Sequence, residues 1–364
     1  MLIKDVISHI EAFAPPALQE SYDNSGVQCG DVNEAAKGAL LCLDVTEEII
    51  AEAQRKKCNL IIAHHPLIFS PLKKLTGANY IERILISAIK KNICIYACHT
   101  NADNVHVGVN KKIADKLGLL NTKILQPKKG LLKKLITFVP KEHTEKVRTA
   151  LFKAGCGQIG NYDNCSYNLE GKGTFRANEN ANPFVGKKNE LHFENETRIE
   201  TVFESYKERD VIHSLHKAHP YEVVAYDIYQ LDTRHPNIGS GLVGDLAKPT
   251  DEKLFLLQVK QIFGPGAIKH TALLEKKVKR VALCGGSGSF LLKDAIAAKA
   301  DVFITSDFKY HQFFDAENKL VIADIGHYES EQFTPEIFYE VIRKKLPKFV
   351  THLSTLRTNP VNYL

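Results

Sequence analysis

Short aliphatic runs alternate with amphipathic helical stretches along the first third of the chain, and this alternation restricts it to an α/β fold with parallel strands. Gly38–Val45 reads as a strand, Thr46 as an N-cap followed by Glu47 and Glu48, and a helical periodicity runs to Lys57 before a second aliphatic strand closes at His64. A helix over 78–91, with Ile81, Ile84, Leu85, Ala88 and Ile89 on one face, leads into the strand 93–98, and a further helix covers about 107–117. Parallel strands joined by crossover helices follow.

The pattern breaks at Gln126-Pro-Lys-Lys-Gly130, where Pro, Gly and two charges sit between apolar segments, so a boundary is placed there. Strand 135–139, a helix from about 141 to 155, a Gly/Asn-rich hairpin region through 164–184, a helix near 209–217 and a strand 222–231 form a βαββαβ block. Beyond residue 237 the first grammar returns: helix 252–263, strands 268–274 and 278–284, a helix to Lys299, strand 302–305, a helix near 310–317, strand 320–324 and a final helix. The expected organisation is an α/β domain of residues 1–130 and 238–364 with an α+β insert of residues 131–237.

With 364 residues, 44% hydrophobic and 25% charged, the chain has the makeup of a soluble globular protein. Its net charge of +6 is scattered over short lysine pairs, which permits polyanion binding without arguing for it. No apolar run reaches the roughly 18 residues of a membrane span, and the amphipathic N-terminus does not read as a signal peptide, so a cytoplasmic location is expected. The eight cysteines contain no C-x-x-C and lie mostly in apolar runs, as reduced, buried thiols do. Cys94 and Cys98, about 13 Å apart on an extended strand, cannot share an ion or a disulfide.

Chemistry collects at three strand ends, where ligands gather in open α/β sheets. The aliphatic run 60–63 leads into His64-His65-Pro66; two consecutive imidazoles diverge on an extended backbone, which suits two neighbouring ions better than one. After Cys98 comes His99-Thr-Asn-Ala-Asp103, whose Asp103 offers a bridging oxygen but could equally cap the next helix. After Asp324 comes Gly326-His-Tyr-Glu-Ser-Glu331, with His327 and Glu331 spaced i, i+4 on one helix face. Three imidazoles and two carboxylates, His64, His65, Asp103, His327 and Glu331, suit two Zn, Fe or Mn ions rather than Ca or Mg. Two such ions, about 3.5–4 Å apart, acidify water enough for hydrolysis near neutral pH, with no separate base.

The segments 63–66, 99–103 and 326–331, together with Tyr22-Asp-Asn-Ser-Gly26, Gly241-Leu-Val-Gly-Asp245 and Gly285-Gly-Ser-Gly-Ser289, resemble the motifs of the NIF-three-like dinuclear metal centre family. That family is also known as GTP cyclohydrolase 1 type 2, and the resemblance spans nearly the whole chain. It implies two interlocked α/β units, a homohexameric ring with metal pairs facing its interior, and ring opening of GTP with release of formate. The insert, with Gly155-Cys-Gly-Gln-Ile-Gly-Asn161, Ala181-Asn-Pro-Phe184 and Ala218-His-Pro-Tyr-Glu222, resembles a PII/CutA-like domain of ferredoxin type. His219 reads as part of a turn before a strand and stays outside the ligand set.

Four further residues are candidates for orienting ligands or touching substrate: His99, His106, Asp307 and His311. Gly285, Gly286, Ser287 and Gly288, between a strand and a helix, offer a weaker candidate for cradling a phosphate, without a Walker lysine. The leading expectation is a dinuclear metal-dependent hydrolase of a nucleotide or related small molecule; a phosphoester fits as well as GTP. The alternatives are a non-catalytic metal-binding or adaptor protein, and a DNA-binding ring that would show steep salt dependence.

Overall fold

A computed structural model describes residues 1–364, which divide into two compact units, Met1–Pro127 with Asn237–Leu364, and Lys128–Pro236. The first unit contains two sheets. One is five-stranded, in the order Gly26–Cys29, Cys94–Ala97, Leu60–Ala63, Ala39–Cys42, Thr351–Leu353, all parallel except the first. Its three inner strands are buried at every position, because aliphatic residues facing both ways require cover on both sides. Helices Glu47–Arg55 and Tyr80–Lys90 supply cover on one face, packing Ile49, Ile50, Ile84 and Leu85 against Leu40, Ile61 and Ile95. Thr46 caps the first of them, its hydroxyl accepting from the Ile49 amide at 3.3 Å.

The second sheet runs Lys269–His270, Val321–Asp324, Val302–Ser306, Lys277–Ser287, Gly239–Asp251, Leu120–Pro127, with a parallel centre and antiparallel flanks. Phe303, Ile322 and Ala282 lie beneath Leu291, Leu292 and Phe308 in its own core. Both sheets therefore present the carboxyl ends of parallel strands, the place where α/β proteins bind ligands.

In the second unit, strand Leu132–Pro140, helix Thr144–Lys153, strands Tyr167–Arg176 and Leu191–Glu204, helix Glu208–Ala218 and strand Tyr226–Leu231 follow one another. They form an antiparallel sheet in the order Tyr167–Arg176, Leu191–Glu204, Leu132–Pro140, Tyr226–Leu231. Leu135, Val139, Ile199 and Phe203 pack against Val147, Leu151, Val211 and Leu215, so the helices cover one face.

Several elements differ from the sequence reading. The strand expected over 268–274 shrinks to Lys269–His270, and the helix expected near 310–317 is a 3₁₀ segment, Tyr310–Ala316. Gly26–Cys29, Leu120–Pro127, Gly239–Asp251 and Thr351–Leu353 are strands the periodicity does not announce. Gly239 and Gly241 disguise the longest of these as a loop, yet both are needed: a Cβ on Gly239 would meet the Gln126 carbonyl at 2.2 Å, and Gly241 sits at φ +64°. All eight cysteines are free thiols, with Cys29 and Cys165 only partly buried. No helix is long and apolar enough to cross a membrane.

Candidate metal centre

Each sheet delivers ligand-type residues from its strand ends into one cluster. His64 and His65 directly follow Leu60–Ala63; Asp103 lies on the one-turn helix Thr100–Asn104 just after Cys94–Ala97; His327 and Glu331 open and close the helix His327–Glu331 beyond Val321–Asp324. The Glu331 Oε2 is the focus, 2.9 Å from His65 Nε2, 3.1 Å from His327 Nε2 and 3.7 Å from His64 Nε2. His64 Nε2 is also 3.7 Å from Asp103 Oδ1. Three overlapping sets of possible ligands result: His64, His65 and His99; His65, His327 and Glu331; His64, Asp103 and Glu331.

The histidine doublet shows how local structure serves the site. Extended backbone would send the two imidazoles to opposite faces, but the strand ends at Ala63 and both following amides turn to the Leu43 carbonyl. The rings consequently lie 4.9 Å apart, and His99 joins them at 5.2 Å from His64 and 5.4 Å from His65.

Four imidazoles have their Nδ1 engaged, which fixes ring orientation and leaves Nε2 for the cluster. His64 Nδ1 donates to the Cys98 carbonyl at 3.0 Å, His65 Nδ1 to Asp44 at 2.7 Å, His99 Nδ1 to Asp23 at 2.7 Å and His327 Nδ1 to Asp307 at 2.6 Å. A carboxylate behind a ligating imidazole raises its basicity and sets its tautomer. The chain continues outward, since Thr358 donates to the second Asp44 oxygen at 2.6 Å and Asp23 accepts from the Thr100 amide at 3.0 Å. Asp44→Ala is expected to weaken metal binding roughly 10- to 100-fold while leaving the five central residues in place. Competition against a chromogenic chelator measures this, and an unchanged affinity would remove the orienting role of Asp44.

Burial gives the cluster its chemical character. Burial pushes the His64 pKa down to about 4 despite the nearby Glu331, so this ring is neutral and ready to donate a lone pair. At His65 burial also opposes the cation, but its hydrogen bonds to Asp44 and Glu331 outweigh it and carry the pKa up to about 10. His327 follows the same balance and rises to about 11, with the Glu331 charge and Asp307 prevailing over burial. Burial and the Glu331 charge drive the Asp103 carboxyl well above its usual range, whereas Glu331, although burial opposes its ionisation, is held well below by His327.

Two atoms test whether the site suits a metal ion. His64 Nε2 and Asp103 Oδ1 are fully buried and have no hydrogen-bond partner. Buried polar atoms are normally paired, and a neutral imidazole lone pair facing a carboxylate oxygen is satisfied by a cation between them. The nitrogen and carboxylate donors fit Zn, Fe or Mn.

The secondary candidates separate in space. Asp307, at φ +61°, holds His327, and His99 faces the cluster. His106 points elsewhere, with Nε2 3.3 Å from the Thr122 carbonyl, and His311 packs on Tyr310 and Phe314. The Gly285–Gly288 loop does not form a phosphate cradle: the Gly285, Gly286 and Gly288 amides already donate to Asn110, Ser330 and Thr305 at 2.9 Å, and the Ser287 hydroxyl to Asp307. Its glycines serve close packing instead, since a Cβ on Gly286, at φ +59°, would sit 2.4 Å from Glu331 Oε1. Asp44 and Asp23 are site residues that spacing alone does not single out. For Asp44 a usable signal exists, because it follows a buried strand just as the histidines do.

Residues 1–360 match the family described as Duf34/NIF3 (NGG1p interacting factor 3). A protein of Halalkalibacterium halodurans named GTP cyclohydrolase 1 type 2 homolog is 38% identical over 365 residues, 99% of this chain and 98% of that protein. The Bacillus subtilis protein of the same name is 38% identical over 371 residues, again 99% of this chain and 98% of its own length. Among solved structures, a Bacillus cereus protein related to NIF3 superposes with a TM-score of 0.87 at 37% identity, covering 100% of this chain and 99% of its own. This chain belongs to the Duf34/NIF3 family.

Proposed function

We propose that this protein is a dinuclear metal-dependent hydrolase of a nucleotide or related small molecule. The observation that carries the reading is the convergence of His64, His65, Asp103, His327 and Glu331, with two buried ligand atoms otherwise unsatisfied. These five residues would hold two Zn, Fe or Mn ions, and His99 stands close enough to complete one of the sites. Such an ion pair, when bound, supplies the Lewis acidity that makes hydrolysis feasible near neutral pH.

The protein's own residues shape what enters. A cleft of about 390 Å³ opens over the cluster, lined by His65, Asp103, His327 and Glu331 and rimmed by Tyr22, Phe69 and Phe290. All three rim rings are more than half exposed, at 64%, 52% and 59%, so their faces are free to stack on a planar base. Asp44, Asp23 and Asp307 orient the imidazoles from behind. The relatives' name makes GTP ring opening, with formate as product, the first substrate to test.

The same proposal includes a homohexamer, a cytoplasmic location and a ferredoxin-like, PII/CutA-type identity for the second unit, whose βαββαβ order and strand arrangement support that last reading. Purified protein loaded with Zn, Fe or Mn should turn over at least one of GTP, a phosphodiester or an oxidised nucleotide, and Asp103→Ala should abolish that turnover. Turnover that is absent with every metal, or that survives Asp103→Ala, overturns the hydrolase reading and favours a metal-binding adaptor.

A further inference from the structure

The second unit has a cavity of about 670 Å³ on the sheet face opposite its two helices. That volume lies within the range of small-molecule pockets. Phe138, Phe175, Phe184 and Tyr221 wall it, with the Phe175 and Phe184 rings 6.3 and 6.4 Å from that of Tyr221. The segment bearing Phe184 is pinned by the Asn182 amide, which donates to Glu222 at 2.9 Å.

One carboxylate stands among these rings. Glu196 accepts from the Tyr221 hydroxyl at 2.8 Å through Oε1, and this is its single side-chain partner; it forms no ion pair. Of the other charged residues around the cavity, Glu222 accepts from the Asn182 amide, Arg198 keeps a buried Nε without a partner, and the rest are paired or turned away. Arg198 binds Glu200 at 2.8 Å, Glu170 pairs with Lys141 at 2.8 Å, and Lys172 alternates to the opposite face of its strand, paired across to Asn195 rather than Glu196. Room for the carboxylate is made by glycine: a Cβ on Gly173 would meet Glu196 Oε2 at 2.1 Å. Gly171, directly opposite Glu196 in the ladder, has open space where a side chain would begin.

We infer that this cavity is a second ligand site, for an organic cation in which a protonated amine or amidinium on a flat apolar body meets Glu196 between the aromatic rings. A fixed carboxylate without a cation inside an aromatic enclosure is complementary to this class, through a charge-assisted hydrogen bond and cation–π contact. An anion would face Glu196 unpaired, and a neutral ring would leave its second oxygen unsatisfied.

The chain contains no tryptophan, so binding of p-aminobenzamidine is readable by the probe's own fluorescence in the full-length protein. The amidine is expected to bind with a Kd below about 1 mM, at least about tenfold tighter than p-aminobenzamide, while p-aminobenzoate shows no binding. Glu196→Gln should weaken the amidine at least about tenfold and erase its preference over the amide. Gly171→Leu, which fills the cavity from the position opposite Glu196 and leaves the carboxylate itself in place, should abolish binding, with circular dichroism reporting on its fold; if that variant does not fold, Glu196→Gln decides alone. Asp103→Ala should bind the probe like wild type, which separates this site from the metal centre. Equal affinity for the three probes, no binding of the amidine, or an amidine affinity unchanged by Glu196→Gln overturns the inference. So does a wild type that fails to bind while Gly171→Leu changes the oligomeric state, since the face is then covered by a second copy.

Discussion

Glu331→Gln is expected to lower metal affinity by at least about 100-fold, a larger loss than removal of an orienting residue produces. One Oε2 atom lies within 3.7 Å of three imidazole nitrogens, and two of the three ligand groupings include this residue. Replacing it with an amide removes an anionic donor shared by two of the three ligand groupings. In the metal-free protein the same carboxylate balances His65 and His327, so breaking these buried pairs costs about 3 kcal/mol, diminishing at a pH where the imidazoles are already neutral. Elemental analysis after dialysis, beside thermal melts with and without chelator, separates the two effects. Glu329→Gln is the matched comparison, because Glu329 is equally buried but turned toward Asn359 at 2.8 Å and should leave metal content unchanged. Full metal occupancy in Glu331→Gln would place the ligands elsewhere.

The five central residues are legible in the sequence because strand ends are marked by an abrupt change of character. Apolar runs stop at Ala63, Cys98 and Asp324, and a donor-rich segment starts immediately after each. Parallel strands with buried centres read as continuous hydrophobic runs, so their ends stand out, and topology brings such ends together. Asp44 and Asp23 are harder to read, since an aspartate after a strand or in a turn has many ordinary uses and only the partner imidazole reveals this one. The edge strands fail for another reason. Gly239–Asp251 is recruited by pairing with Leu120–Pro127 on one side and Lys277–Ser287 on the other, partners remote in sequence, so no local periodicity records it. The glycine loop at 285–288 misleads in a similar way: its composition suggests an anion cradle, whereas its amides are spent on Asn110, Ser330 and Thr305 and its bareness admits Glu331.

Metal uptake is expected to release protons, and the affinity to rise steeply with pH. In the metal-free protein His65 and His327 have pKa values raised to about 10 and about 11, so both carry a proton at neutral pH. A ligating imidazole must be neutral, and therefore loading the site expels about two protons from these rings at pH 7. His64, pushed down to about 4, contributes nothing because it is already neutral. Raised histidine pKa values stabilise the metal-free fold fully below about 6.5, and this support is lost as pH climbs through about 10 and 11. Metal-bound protein has no such protons to lose, so the gap in Tm between loaded and metal-free forms should widen from pH 6 to pH 9, with affinity rising about tenfold per pH unit for each proton released. Calorimetric titration of Zn in buffers of different ionisation enthalpy counts the protons. A count of zero at pH 7, or a Tm gap independent of pH, would mean that His65 and His327 are neutral before metal arrives and that Glu331 does not hold their charge.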